Sequence, residues 1–224
     1  MRRFVIGDVH GCVKTLRHMI EERINWTPDD RLILLGDYVN KGPDSKAVLD
    51  YIAKLKSVAT GTDNLITLRG NHDDIIIRKY INPMWSRGKD KPGIAATLRS
   101  FNVGRVADIP RAYIEQLDEL KLLHQEHDFI CVHASFNTSD NSPFTNYESM
   151  LWDRTEDVDL TVTAGRRVIC GHTPQTESEI RKRLEHGKII LDGGCVYVHR
   201  PHMGNLVAMN LDTYDLVVQK NIET

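Results

Sequence analysis

The chain lacks the marks of several large function classes. Its four cysteines, Cys12, Cys131, Cys170 and Cys195, are scattered, with no C-x-x-C pair. That removes a zinc finger and a redox dithiol from consideration and suits reduced thiols in a cytosolic protein. There is no basic stripe either: the formal charge is −2 and the signs are interspersed, so nothing is offered to a nucleic-acid backbone or an anionic membrane, and any phosphate recognition must be local. No apolar run approaches a membrane span. The basic start Met1-Arg2-Arg3 lacks the apolar core of a secretion signal, because Gly7-Asp8 interrupts Phe4-Val5-Ile6. Repeats and low-complexity tracts are missing too. These absences lead us to expect a soluble, cytoplasmic protein without nucleic-acid or membrane partners, and they leave its oligomeric state open.

What is present suits one α/β domain over residues 1–224, since 41% of the residues are hydrophobic, enough for a sizeable core. Phe4–Ile6, Arg31–Leu35 and Leu65–Leu68 read as short buried strands. Residues 12–24, the stretch after Asp44 or Ser45, and Asp73–Tyr80 read as the helices that follow them. Three strand–helix units imply right-handed crossovers and a mostly parallel first sheet. Residues 83–110 form a turn-rich, basic segment through Gly88, Lys89, Lys91 and Pro92, then a short helix around Ala95–Phe101; we expect a substrate-facing insertion there. Further on, Tyr113–Leu123 reads as a helix, Asp128–Val132 and Arg167–Cys170 as strands, and Tyr147–Trp152 as a helix after a polar loop. Lys188–Leu191, Val196–Val198, Leu206–Leu211 and Asp215–Gln219 read as strands of a second, more antiparallel sheet.

In parallel sheets, ligands bind beyond the carboxyl ends of the strands. Five strand ends here carry metal-ligand residue types: Gly7-Asp8-Val9-His10-Gly11, Gly36-Asp37-Tyr38-Val39-Asn40-Lys41-Gly42, Arg69-Gly70-Asn71-His72, Val132-His133-Ala134 and Gly171-His172-Thr173. A dinuclear hydrolase needs a carboxylate bridging two cations and separate imidazole, carboxylate or amide ligands for each. Asp37, on the central segment, is the expected bridge, with Asp8 and His10 on one ion and Asn71, His133 and His172 on the other. Arg69 and Arg154 are expected to clamp phosphate oxygens bidentately. A water bridging the ions, acidified from ~15.7 toward neutrality, is the expected in-line nucleophile. His72, next to a ligand, is expected to protonate the leaving group.

These motifs, in this order over about residues 3–199, resemble the metal-dependent serine/threonine phosphoprotein phosphatases of bacterial and phage type, within the calcineurin-like metallophosphoesterases. The resemblance implies an αβ sandwich and a two-metal site, usually manganese, with iron or zinc as the other candidates. It also implies direct attack by metal-bound hydroxide. Asp8, His10, Asp37, Asn71, His133 and His172 fall on the family's ligands, His72 on its acid, and Arg69 and Arg154 on its phosphate contacts. One motif departs: where the family has Asp-Arg-Gly, this chain has Asn40-Lys41-Gly42. Asn40 can accept a hydrogen bond from an imidazole but brings no charge to favour the imidazolium, and Lys41 keeps the charge without the bidentate fork.

The expectation is therefore a dinuclear-metal phosphatase acting on phosphoserine, phosphothreonine or phosphotyrosine in proteins, or on small phosphoesters. A weakened acid would bias it toward aryl or anhydride leaving groups. The alternative is a diadenosine-tetraphosphatase-like hydrolase, since those relatives share Gly42-Pro43 and Asp73 and lack an aspartate at position 40. A non-catalytic phosphoprotein-binding module is the third reading, suggested only by Asn40 and Lys41.

Overall fold

The computed structural model describes residues 1–87, 93–138 and 142–223. Two sheets face each other. The first has the order β3-β2-β1-β8-β9, from β1 (Arg3–Ile6), β2 (Arg31–Leu34), β3 (Leu65–Thr67), β8 (Asn205–Asn210) and β9 (Leu216–Lys220). The second has the order β4-β5-β6-β7, from β4 (Leu123–Gln125), β5 (Phe129–Val132), β6 (Arg167–Cys170) and β7 (Lys188–Ile190). β1, β2 and β3 run parallel in register, as do β5, β6 and β7.

Period-two alternation builds the layers, because successive side chains on a strand point to opposite faces. Val5, Ile33, Ile66, Cys131, Ile169, Ile189, Val207 and Met209 meet between the sheets. Phe4, Ile6, Leu32 and Leu34 turn outward onto the helices, namely α1 (Val13–His18, continued by a π-helical turn over Met19–Arg23), α2 (Ser45–Val58), α3 (Asn71–Ile81), α4 (Ile94–Phe101) and α5 (Arg111–Asp118). Ile130, Val132, Val168, Cys170 and Ile190 pack outward against Phe136 and against Met150 of α6 (Tyr147–Trp152). No helix among the described residues is long and apolar enough to cross a membrane.

The αβ sandwich is as expected, but the C-terminal strands are shared out differently. β7 extends the second sheet in parallel, and the β8–β9 hairpin completes the first sheet, pairing antiparallel with β1. Val196–Val198 is not a strand: the chain turns there, with Tyr197 N–H donating to Gly194 O and Gly204 N–H to the same carbonyl. The helix expected over Tyr113–Leu123 stops at Asp118, and Leu123 starts β4 against β5. α3 begins at Asn71, two residues early. A helix not expected, α7 (Glu177–Arg183), is opened by a Thr176/Glu179 capping box. Of the 83–110 segment, Gly88, Lys89, Lys91 and Pro92 lie outside the described residues. Of its described residues, Ile94, Leu98, Phe101 and Val103 pack on the helical core, whereas Met84 is exposed.

Candidate metal centre

The parallel strands of both sheets end at one rim, which brings the five motifs together. Two glycines let the loops touch. A Cβ on Gly70 would overlap Asp37, and one on Gly171 would overlap the Asp8 carboxylate. Asp73, in the first turn of α3, accepts N–H bonds from Gly70, Asp37 and Tyr38, each 2.9 Å, so one buried carboxylate fixes the ends of β2 and β3 together. The Asp37 carboxylate sits at the start of α3 and accepts the His72 N–H at 2.8 Å, where the helix N-terminus favours negative charge. His10, Asp37, Asn40, Lys41 and His172 all hold positive φ. Such backbone costs roughly 1–3 kcal/mol per residue and persists where surrounding structure enforces it.

Asp37 divides the cluster in two. Its Oδ2 lies 3.4 Å from His10 Nε2 and its Oδ1 lies 3.5 Å from His133 Nε2. On the second side, Asn71 Oδ1 is 3.0 Å from His133 Nε2 and 2.9 Å from His172 Nδ1. Asp8 accepts the His172 N–H at 3.1 Å. Backbone carbonyls set the ring tautomers: His10 Nδ1 faces Val39 O at 3.1 Å and His133 Nδ1 faces Leu35 O at 2.9 Å. Each Nε2 lone pair is thereby left for the cluster, the outer-shell arrangement that orients metal-binding imidazoles.

Electrostatics favour cations here. Burial, with Asp192 and Asp37 nearby, lifts Asp8 well above the usual carboxylate range. Burial would also raise Asp37, but His133, His72, His10 and Lys41 outweigh it and hold Asp37 low. Burial lowers His10 and His133, and takes His172 down to about 2 with help from His133 and Arg154. Burial thus disfavours the imidazolium forms of His10, His133 and His172. Donor atoms of Asp8, Asp37 and His133 lie within 4.8 Å of one another, as do those of His10, Asp37 and His72. His172 Nε2 is buried without a partner. This donor set of carboxylate, imidazole and amide fits divalent cations.

Asn40 behaves otherwise than expected. It does not accept from His72. Its Nδ2 lies 3.2 Å from His72 Nδ1 and donates to His72 O at 3.3 Å, while Thr97 Oγ1 donates to its Oδ1 at 2.8 Å. Lys41 Nζ is 2.9 Å from His10 Nε2, inside the cluster. Arg154 sits at the rim, with Nη1 3.1 Å from Thr173 Oγ1. The Arg69 guanidinium is held by Asp118, by Tyr147 Oη at 3.1 Å and by Asp74 at 3.8 Å, while its buried Nε has no hydrogen-bond partner among the described residues.

One buried carboxylate escaped the sequence reading. Asp192 follows β7 and accepts the Gly194 N–H at 2.8 Å; burial and the nearby Asp37 push it up to about 6. Its signal was the same as for the others, an aspartate-glycine step after an apolar run, Lys188–Leu191. All four cysteines are buried thiols.

A family model described as calcineurin-like phosphoesterase matches residues 1–201. The chain is 31% identical over 137 residues to a symmetrical bis(5'-nucleosyl)-tetraphosphatase of Nitrosospira multiformis, a match covering 60% of this chain and 43% of the relative. It is 33% identical over 94 residues to a zinc-dependent endopolyphosphatase of Saccharomyces cerevisiae, covering 42% of this chain and 27% of the relative. The matches thus span less than half the length of these relatives. In fold, it resembles a crystal structure assigned provisionally to a diadenosine tetraphosphatase, with a TM-score of 0.70 at 19% identity, covering 100% of this chain and 95% of that one. The relatives bear the names of tetraphosphate and polyphosphate hydrolases. That finding corrects the expectation of a phosphoprotein phosphatase, and a phosphoprotein partner goes with it.

Proposed function

From the premise that this chain belongs to the calcineurin-like phosphoesterase family, we propose that it hydrolyses a phosphoanhydride bond of a nucleoside polyphosphate, with a dinucleoside tetraphosphate as the model substrate. Asp8, His10 and Asp37 would hold one divalent cation, and Asp37, Asn71, His133 and His172 the other. When bound, the two cations supply Lewis-acid polarisation of the phosphoryl group and an acidified water. Lys41 and Arg154 would contact the phosphate oxygens. Arg69, tied to Asp118 and Tyr147, braces the start of α3.

One observation carries the choice of bond: an amide, not a carboxylate, faces the ring of His72. Because Thr97 takes the Asn40 oxygen, the amide N–H points at His72 Nδ1. A neutral ring accepting there carries its proton on Nε2, the atom that would protonate a leaving group, and the amide brings no charge to favour a second proton on Nδ1. Such an acid is adequate when the leaving group is a phosphate, whose second pKa is about 6. It is poor for an alkoxide, which is about as basic as hydroxide, the conjugate base of water at ~15.7. The names of the relatives support the same choice.

The test is a substrate comparison with purified protein loaded in turn with manganese and zinc. We expect kcat/KM for diadenosine tetraphosphate to exceed that for phosphoserine and phosphotyrosine peptides by more than tenfold. A preference for either peptide would overturn the reading.

A further inference from the structure

Two arginine–aromatic pairs flank the cluster, one on each side of Asp37, and neither belongs to the donor set. On the His10 side, Lys41 Nζ lies 5.4 Å from the ring centroid of Tyr197, so that ring adjoins the first cation position. The Arg200 guanidinium lies 4.1 Å from the same centroid. The turn that carries both is closed by bonds from Tyr197 N–H to Gly194 O at 2.8 Å, Arg200 N–H to Tyr197 O at 2.9 Å and Gly204 N–H to Gly194 O at 3.0 Å. On the His172 side, Trp152 meets the His172 ring edge-on with centroids 6.3 Å apart, and the Arg87 guanidinium lies 4.2 Å from the Trp152 ring centroid. Arg87 is paired with Glu148, which Arg78 also holds at 3.0 Å. Both arginines reach solvent: Arg200 is exposed and the Arg87 side chain is 44% exposed.

A guanidinium backed by an aromatic ring is a flat, cationic surface on which a nucleobase stacks, as bases do on aromatic and arginine planes in single-stranded recognition. A single such pair would suit any nucleotide. Two pairs, on opposite sides of a centre that grips phosphate, suit a ligand with a base at each end and a phosphate chain between. We propose that Tyr197–Arg200 and Trp152–Arg87 are stacking stations for the two nucleosides of a dinucleoside polyphosphate. This rests on the reading of the site as a nucleoside polyphosphate hydrolase and adds the residues that recognise the nucleosides.

The experiment compares kcat/KM for diadenosine tetraphosphate with kcat/KM for inorganic tripolyphosphate, which has no base, in wild type, Tyr197→Leu, Trp152→Leu, Arg200→Ala and Tyr197→Phe. The ratio of the two should fall about 5- to 100-fold in each of Tyr197→Leu and Trp152→Leu, in line with the worth of base stacking. It should fall in Arg200→Ala as well, an exposed turn position whose truncation leaves the core intact, and should hold in Tyr197→Phe. Equal losses on both substrates, or an unchanged ratio, would refute the stations. Wild-type protein that cleaves tripolyphosphate but not the dinucleotide would instead reject the substrate class itself, before any variant is compared.

Discussion

The Asn40 amide nitrogen stands 3.2 Å from Nδ1 of His72, and both residues are buried. In this geometry the ring accepts at Nδ1. Replacing Asn40 by Asp keeps the shape and puts a carboxylate there, which favours a second proton on the ring and makes His72 a stronger source of protons for basic leaving groups. General acids contribute roughly 10²–10⁴-fold. We expect Asn40→Asp to raise kcat/KM for alkyl phosphates by at least tenfold relative to the anhydride. Matched measurements on phosphoserine peptide and diadenosine tetraphosphate check this, and an unchanged ratio would sink it.

The orientation of that amide depends on Thr97 of α4. Its hydroxyl donates to Asn40 Oδ1 at 2.8 Å, accepts the Asn40 N–H at 2.9 Å and lies 3.0 Å from Ser45 Oγ. Thr97→Val leaves the N–H and the carbonyl oxygen of Asn40 buried without this partner, at a cost of about 1–3 kcal/mol. It also frees the amide to turn over. Thr97→Ser restores the hydroxyl and should restore most of the loss. Thermal melts report the stability. The alkyl-to-anhydride rate ratio reports the orientation, which a merely structural loss would not shift.

Much of the site is legible in sequence because each donor follows an apolar run directly, so strand ends and chemistry coincide at Asp8, Asp37, Asn71, His133 and His172. What was not legible depends on partners far away in the chain. Asp192 reaches the cluster only because β7 lies beside β6. The partners of Arg69 were not legible because Asp118 and Tyr147, which engage it, come from α5 and α6. Local composition cannot say which sheet a strand joins. β8 carries a continuous apolar run, Leu206-Val207-Ala208-Met209, that would suit either, and its pairing with β1 bridges about 200 residues. Val196–Val198 has the β-branched residues of a strand, but the closing bonds from Tyr197 and Gly204 to Gly194 win.

Cation removal should be visible in stability as well as in rate. Asp8, Asp37 and Asp192 are buried close together, and without cations their repulsion opposes folding. Ligand binding to the folded state alone stabilises by about 2.7 kcal/mol at a hundredfold excess over Kd. Treatment with a chelator should therefore lower the melting temperature by several degrees and abolish turnover, with both restored by adding manganese or zinc. Asp8→Asn should lose turnover and respond less to added metal. Full activity in Asp8→Asn would reject the ligand assignment.

Far from the cluster, Asp30 gives a stability signature of opposite character. Burial raises its pKa, but Arg2 and Thr27 more than reverse this. Arg2 donates from its backbone N–H at 3.0 Å, from Nε at 3.2 Å and from Nη2 at 2.6 Å, and Thr27 donates from N–H at 3.0 Å and Oγ1 at 2.9 Å. The folded pKa is thus depressed below the ~3.9 of an unfolded aspartate. A depressed carboxylate contributes stability that is fully present above the unfolded pKa and is lost as pH falls through the folded one. Asp30→Asn keeps the shape and removes the charge, so it should cost about 1–3 kcal/mol at pH 7. The gap from wild type should narrow below about pH 4. Denaturant midpoints at pH 7 and pH 3.5 measure it, and a gap of equal size at both would show that the carboxylate's charge is not what ties Arg2 to the loop at Thr27.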